Sequence, residues 1–469
     1  MPDYAKMYRH LFNAQTDAVA LLQKAQLETE EMYLEYKVSS SRLKNWVRRQ
    51  YYRETGKGFS AEVWEAVKGT LIGKALFDGE LCTVYIRCAY VDGVLYYDLN
   101  NESKQVVAIS EDGWHVQDDS DVIFYRNNTM LAQVTPEHSE HDIAVIAPFY
   151  RFKNDEDRIL HIVSLISKFL PHIPHPIDIV HRQKGTAKTT TMKKDKSLVD
   201  PDKVLVATLP KALDALAIYL HNHYFVAYDN ITSFSGDVSN IFCQASTGGA
   251  FIARKHYSND EEVVLEFKRV VSLNGINVVA TMPDLLERGI LLELEPISTT
   301  ERKSEAQLWR EFDEAKPYIL GVIFTVLAKA LAIYPTVELE KRGRMADSTE
   351  WGYAIAEAAG LGGENFLRAY LNNQNRANTE AVDANPVAAA VVELMKKNDE
   401  WVGTAMALLR ELNQIAEQVN IDTKSLYWPK QPNHLSRRLK EVTANLNALG
   451  YTIESKPTGD RQIRITRAG

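Results

Sequence analysis

Cysteine is scarce: Cys82, Cys88 and Cys243 are the only three in 469 residues. They form no CxxC pair and have no histidine at metal-ligand spacing. That argues against a disulfide framework or a zinc site, and for a reducing, cytoplasmic compartment. A basic excess is lacking too. The net charge is −8, so any nucleic-acid contact has to come from a local patch rather than from the whole molecule. The N-terminus, MPDYAKMYRHLF, has no apolar core run and no small-residue cleavage site, and does not read as a signal peptide. Long hydrophobic runs are nearly absent. The most apolar stretch, residues 317–335, contains Lys329 and barely reaches the ~20 residues that a bilayer needs. A buried helix is the better reading, and no membrane is expected as a partner. There is also no internal repeat.

What is present suits a globular protein of two to four domains, with 45% hydrophobic and 25% charged residues. Four regions follow from the patterning. Residues 1–150 read as an N-terminal module of helices plus β-hairpins. TDAVALLQKAQLETEEMYLEY and AEVWEAVKGTLIGKAL have helical spacing, and VYIRCAYVDGVLYYDL turns at Asp92-Gly93, a strong hairpin signal. Residues 151–300 alternate helices with the short apolar runs PIDIV, HYFVAYD, RVVSLN and GILLELE, which suit a buried parallel sheet and an α/β fold. Residues 301–385 are almost all helical. Residues 386–469 give three helices and then a β-hairpin around Pro457-Thr458-Gly459, the order of a winged helix.

The strand PIDIV runs directly into HRQKGTAKTTT. A phosphate-binding loop of the form GxxxxGK[ST] uses glycine to point backbone N–H groups inward. Here Gly185, Lys188 and Thr189 are kept, while Arg182 and Ala187 replace the two glycines of the pattern. Lys184, Gly185, Thr186, Ala187, Lys188, Thr189 and Thr190 are the candidate nucleotide-binding stretch. Lys188 would neutralise phosphate and Thr189 would hold Mg²⁺. The alternative is a basic turn that merely contains Gly-x-x-Lys-Thr. Its partners argue against that. Asp229 ends the apolar strand YFVAYD 41 residues after Lys188 and suits a Mg²⁺-side carboxylate. Asn230 follows it where many such ATPases carry glutamate. Asparagine orients water but takes no proton, so the general base is open. Asn274 ends the next apolar strand and can hold the attacking water. Arg288, fourteen residues on, can reach a neighbouring subunit's phosphate. Arg344, in RGRMAD, can sense nucleotide from a helical lid over residues 301–385. For both arginines an ordinary surface role stands beside the functional one.

This ordering resembles the AAA+ class, and within it superfamily-3-like replicative helicases of phages, plasmids and integrated elements. GTAKTTT with LVDP, VAYDN, the segment ASTGGAFIARKHYSNDEEVVLEFKR, VVSLNGI and MPDLLERGILLEL carry the likeness, over roughly residues 80–469. The resemblance implies a P-loop AAA+ parallel-sheet core with a helical lid. It also implies a homo-oligomer, a hexameric ring that hydrolyses ATP with Mg²⁺ between subunits and translocates on DNA. Lys188, Thr189, Asp229, Asn274 and Arg288 carry over as phosphate ligand, Mg²⁺ ligand, Walker B acid, sensor 1 and arginine finger. No primase part is legible.

Two places suit DNA. Arg254, Lys255 and His256 stand beside Phe251 and Tyr257, combining phosphate-binding charge with aromatic faces for a single strand; a solvated basic turn would look the same. Residues 430–469 hold eight basic and three acidic residues, a local charge of +5. Arg437 and Arg438, on the helix HLSRRLKEVTANL, can meet phosphate or base edges of a duplex. A wing used only for protein contacts is the other possibility.

Overall fold

The computed structural model describes residues 41–58, 60–78, 82–118, 120–181, 187–231, 235–254, 262–275, 283–298, 302–340, 342–424, 428–455 and 462–467. The expected first helix, TDAVALLQKAQLETEEMYLEY, lies outside them. Helices α1 (Ser41–Thr55) and α2 (Ala61–Phe77) come first. Short strands β1 (Val84–Tyr85) and β6 (Ile123–Phe124) pair with each other, and between them runs an antiparallel meander of β2 (Cys88–Val91), β3 (Val94–Asp98), β4 (Val106–Ser110) and β5 (Gly113–Gln117). The β2–β3 turn is the expected Asp92-Gly93, both residues at positive φ, as a two-residue hairpin requires.

The middle of the chain builds a parallel sheet. Its elements are α3 (Asp155–Ser167), β7 (Ile177–His181), α4 (Lys188–Val199), α5 (Leu213–Asn222), β8 (Phe225–Ile231), α6 (Gly236–Thr247), the hairpin β9 (Gly249–Arg254) and β10 (Glu262–Phe267), β11 (Val270–Gly275), the one-turn α7 (Pro283–Leu286) and β12 (Gly289–Glu293). Among the described residues the sheet has four strands in the order β12-β7-β11-β8, all parallel. Ala207 bridges Tyr228 in parallel beyond β8. The strands are mostly apolar because helices cover both faces. Val180, Ala227, Val270 and Leu292 point to one core, and Ile179, Val226, Leu273 and Leu291 to the other, with the period of two that a pleat dictates.

Three long helices follow: α8 (Glu305–Ile333), α9 (Ala346–Ala358) and α10 (Gly363–Ala384). They do not form a cover set apart from the sheet. α8 packs on β4, β5 and the 3₁₀ turn Ile143–Phe149, α9 packs on α3, and α10 packs on α3 and β12. Tyr97 of β3, Phe169, Val180, Phe324 of α8 and Trp351 of α9 lie in one continuous core. The change of pattern near residue 150 therefore marks a change of sheet type, not of core, and α8, α9 and α10 contribute to that same core. Gly321 shows how closely α8 is laid down: a Cβ there would sit 1.9 Å from the Glu137 carbonyl. The same helix, as Glu305–Thr336, is the one segment among the described residues long and apolar enough to cross a membrane. Most of its apolar stretch is buried inside the protein.

The C-terminal unit is α11 (Pro386–Met395), β13 (Glu400–Thr404), α12 (Ala405–Gln418), α13 (Pro432–Ala448), β14 (Tyr451–Ser455) and β15 (Gln462–Arg467). Asn385 caps α11 and Pro386 opens it, a pairing that starts a helix where the previous one must stop. β13 is an addition to the sequence reading. It joins the hairpin as an antiparallel sheet in the order β13-β15-β14, and the unit has its own core around Val391, Leu412, Leu439 and Ile465. α13 rests on α10 and α7, with Asn445 Nδ2 donating to Asn378 Oδ1 at 3.1 Å.

Candidate nucleotide site

Parallel strands deliver their C-terminal ends to one edge of the sheet, where ligands collect in open α/β folds. That edge holds three of the expected residues together. The Thr189 hydroxyl donates to Asp229 Oδ2 at 2.6 Å, and Asn274 Nδ2 donates to Asp229 Oδ1 at 2.5 Å. The contact exists because β11 lies between β7 and β8, so Asn274 is next to both α4 and Asp229. Asn230 is exposed and left-handed (φ 56°), and its N–H donates to Asp229 Oδ1 at 2.6 Å. Arg182, Lys184, Gly185 and Thr186 lie outside the described residues. Ala187 is described, and it sits at φ 56°, ψ 28° as the N-cap of α4. A non-glycine residue there carries about 1 kcal/mol of strain. Its methyl offers no side-chain cap, so the first N–H groups of α4 (Lys188, Thr189, Thr190) face outward as an anion-binding end. Desolvation lowers the Lys188 ammonium from its ordinary range, and the Asp229 carboxylate offsets part of that. One hydroxyl and one carboxylate 2.6 Å apart suit Mg²⁺, which completes its shell with water and phosphate oxygens.

A cleft of about 380 Å³ adjoins this end, between α4 (Ala187, Thr190, Thr191, Lys194), the turn at Pro148 and Phe149, and Arg302, Lys303 and Leu308. Lys194 forms its floor. Its ammonium donates to the Phe149 carbonyl at 2.7 Å and lies 5.6 to 5.7 Å from the rings of Phe149, Tyr150 and Phe312. Desolvation brings it down to about 8.

The opposite edge of the sheet carries the two arginines. Gly289 pairs with Ile177, the first residue of β7, and the Arg288 carbonyl accepts from Ile177 N at 2.8 Å. At about 3.3 Å per residue, Ile177 and His181 are roughly 13 Å apart, and Lys188 lies beyond His181. Arg288 is therefore at the wrong end of the sheet for its own chain's phosphate residues. Arg344 is there too. It is ion-paired with Glu287 and lies 3.8 Å from Asp284. The turn that leads into α9 is fixed to the same edge, with Ser348 Oγ donating to the Pro174 carbonyl at 2.5 Å. Arg344, expected to sense nucleotide from a helical lid, is borne by a segment anchored at the end of β7 far from Thr189 and Asp229. Cys243 of α6 lies beside these groups, its thiol raised mainly by burial.

Comparison with known families bears on this architecture. Residues 143–377 match the model of the actinomycete integrative conjugative element replication protein, and residues 387–469 match that of the RepA C-terminal domain of the same elements. The chain belongs to this family. Among solved structures, forms of the C-terminal region of NrS-1 are similar at 10 to 12% identity, covering 80 to 81% of this chain and 96 to 97% of theirs, with TM-scores of 0.33 to 0.35. A likeness that distant carries no argument. No curated protein matches. The family makes this a replication protein of a mobile element, and the two matched segments meet near the Asn385–Pro386 junction.

Sequence reasoning missed what holds the C-terminal edge of the sheet in place. Lys168, after α3, reaches Asp178 of β7 at 2.5 Å and Asp195 of α4 at 3.8 Å, all three buried. His161 Nε2 lies 3.1 Å from both oxygens of Asp195, and Ser164 Oγ donates to Asp178 at 2.7 Å. Burial alone would raise the Asp195 carboxyl, but His161 and Lys168 outweigh it and hold it below its usual range. Farther along α4, Asp200 pairs with Arg87 at 3.0 Å and accepts from Phe225 N of β8 at 3.1 Å, and Lys196 donates to the Phe225 carbonyl. Burial opposes ionisation there too, and Lys196 and Arg87 overcome it. The helix is thus cross-braced to both β7 and β8. The only hint in the sequence is the density of charge in TMKKDKSLVD, which reads as a solvated face.

The DNA candidates divide. Lys255, His256 and Tyr257 lie outside the described residues, and of Arg254 only its place at the end of β9 is described. The β9–β10 hairpin beneath them exposes Ile252 opposite Val264. Arg437 and Arg438 stand on α13 one turn before Glu441, at 3.7 and 2.8 Å from it. Leu435, Leu439, Val442 and Leu446 bury the other face of that helix, which leaves His434, Arg437 and Lys440 exposed along one side.

Proposed function

We propose that this replication protein is an ATP-hydrolysing motor of the P-loop AAA+ class that acts on DNA, assembles as a ring, a hexamer by its resemblance, and hydrolyses ATP with Mg²⁺ between subunits. The observation that carries the reading is the Thr189–Asp229–Asn274 cluster at the C-terminal ends of three adjacent parallel strands, next to the uncapped start of α4. In this reading Lys188 and the α4 N–H groups bind the phosphates, and Thr189 and Asp229 hold Mg²⁺. Asn274 orients the attacking water. The cleft beside Phe149 is the place for the base and sugar. Arg288, unable to serve its own chain, serves a neighbour's site. Bound Mg²⁺ supplies charge neutralisation on the phosphates. The C-terminal order helix, strand, helix, helix, hairpin is that of a winged helix, with α13 as the helix for a major groove and β14–β15 as the wing. The β9–β10 hairpin would meet a single strand through Arg254, Lys255 and His256.

ATP turnover measured with and without single-stranded DNA, beside particle size with and without nucleotide, tests the reading. Nucleotide-dependent assembly and DNA-stimulated turnover are expected, with strand displacement on a forked duplex. Stimulated turnover without displacement would leave a remodeller. One observation favours a second version. Asn230 stands where a proton acceptor is usual, and it is exposed. A nucleotide-gated DNA-binding assembly with turnover near zero follows from that, and ring formation without hydrolysis would select it.

A further inference from the structure

Arg288 has an electrostatic problem that its surroundings solve. Asp284 and Glu287 lie within four residues of it, on the same turn. Either carboxylate could pair with its guanidinium and cancel the charge that a neighbour's phosphates would need. Neither does. Arg288 Nη1 donates at 2.9 Å to the main-chain carbonyl of Asp284, and among the described residues its Nε has no hydrogen-bond partner. Among the described residues no carboxylate is paired with it. Both carboxylates face Arg344 instead: Glu287 in a close ion pair, Asp284 at 3.8 Å.

Arg344 is held where it can do this. A Cβ on Gly343 would lie 2.4 Å from the Tyr370 ring, so the chain passes tightly against α10 just before it. Met345 is buried just after it, and its carbonyl accepts from Thr349 N at 3.0 Å in the first turn of α9. The Arg344 side chain remains 44% exposed. A closely packed stretch of backbone presents this cation to one acidic turn.

We propose that Arg344 is a positioning residue that engages Glu287 and Asp284 so that Arg288 stays uncommitted and available to the neighbouring subunit's nucleotide. This rests on the inter-subunit reading above. It assigns Arg344 to the same inter-subunit function as Arg288 and not to its own chain's site. Its action runs through Arg288, and it touches no substrate.

The test uses the full chain and steady-state ATP hydrolysis. Arg344→Ala should lower kcat at least about tenfold, part of the effect of losing an arginine finger, with the KM for ATP changed less. Adding Asp284→Asn and Glu287→Gln to Arg344→Ala should restore most of the missing kcat, because no full carboxylate on that turn then remains beside Arg288. Arg344→Lys should retain activity. Mixing Arg344→Ala with Lys188→Ala subunits should recover turnover, since some interfaces then pair an intact Lys188 with an intact arginine pair. Full activity of Arg344→Ala overturns the proposal, and so does a mixture that stays inactive, which would return Arg344 to its own chain's site. A triple variant as inactive as Arg344→Ala, with the mixture active, also overturns it, since Arg344 would then contact the neighbour directly. Absence of ATP turnover in the unmodified protein overturns the inter-subunit reading itself. Arg288→Ala inactive beside Arg344→Ala fully active overturns only the role given to Arg344.

Discussion

The two ends of the parallel sheet are built on different principles. The C-terminal end concentrates hydrogen-bonding groups that would meet a ligand: a helix start without a cap, a hydroxyl, a carboxylate and an amide, all within contact of one another. It is supported by a fully buried lattice of charge, with Lys168, Asp178, Asp195 and His161 behind β7 and α4. The other end carries two partly exposed arginines on short turns, and its support is packing and main-chain bonding at Gly343, Met345 and Pro174. One end gathers hydrogen-bonding groups around a helix start; the other presents two arginines. Neither is within reach of the other in one chain, and that separation is the physical case for a site shared between copies.

This contrast is most open to challenge at the reacting groups. Arg288→Ala should lower turnover by about 10³-fold while ATP still binds, as for an arginine supplied in trans. Lys188→Ala should lower it by about 10²- to 10³-fold. Each is inactive alone, and the mixture of the two should recover activity; a mixture that stays inactive would place both residues in one site and dissolve the contrast. Next comes the support. Asp178→Ala leaves Lys168 buried without its closest partner, and chemical unfolding should show a loss of about 3–5 kcal/mol. A loss below about 0.5 kcal/mol, the usual size for an exposed position, would mean the buried lattice does not hold the phosphate end. A smaller effect is expected at α13. Replacing Arg437 and Lys440 by alanine should weaken duplex binding and reduce the slope of log affinity against log salt by roughly one for each phosphate no longer held, with DNA-free ATP turnover unchanged. An unchanged slope would assign α13 to binding protein instead. The smallest effect is at Lys194, whose folded value of about 8 lies below its ordinary 10.5. The unfolded chain then binds the extra proton between those values, so stability should rise with pH across about 8 to 10.5. Lys194→Met should flatten that rise, and an unaltered pH profile would show that the cleft floor is wetter than its packing implies.

Much of this architecture is legible in the sequence, and the reasons are local. The four apolar runs mark all four parallel strands, because burial on both faces leaves no polar alternation to confuse them. Asp92-Gly93 marks its hairpin, because only residues tolerant of positive φ close a two-residue turn. Lys188, Thr189, Asp229 and Asn274 stand out by strand ends and spacing. β13 does not: EWVGT is five residues between two helices, and its partner β15 lies about sixty residues away in sequence. Nor does the brace, since Lys168, Asp178 and Asp195 become mutual partners only when α3, β7 and α4 converge. Sequence alone does not say which end of the sheet Arg344 reaches, because it gives no direction to a loop; the Ser348–Pro174 bond supplies it. The apolar richness of α8 predicts burial but not what it is buried against.

The meander of β2–β5 completes its core only with α8. Trp114 Nε1 donates to Thr325 Oγ1 at 3.0 Å, across 211 residues of chain. At roughly 5–20 residues per second, a ribosome needs about 10–40 s to make that stretch. Throughout that interval the strands exist with one apolar side unmatched, and their closure is a high-contact-order step that slows folding. Synthesis itself therefore sets a period of vulnerability to aggregation, and a chain cut short before α8 would be a substrate for chaperones and proteases rather than a smaller working protein.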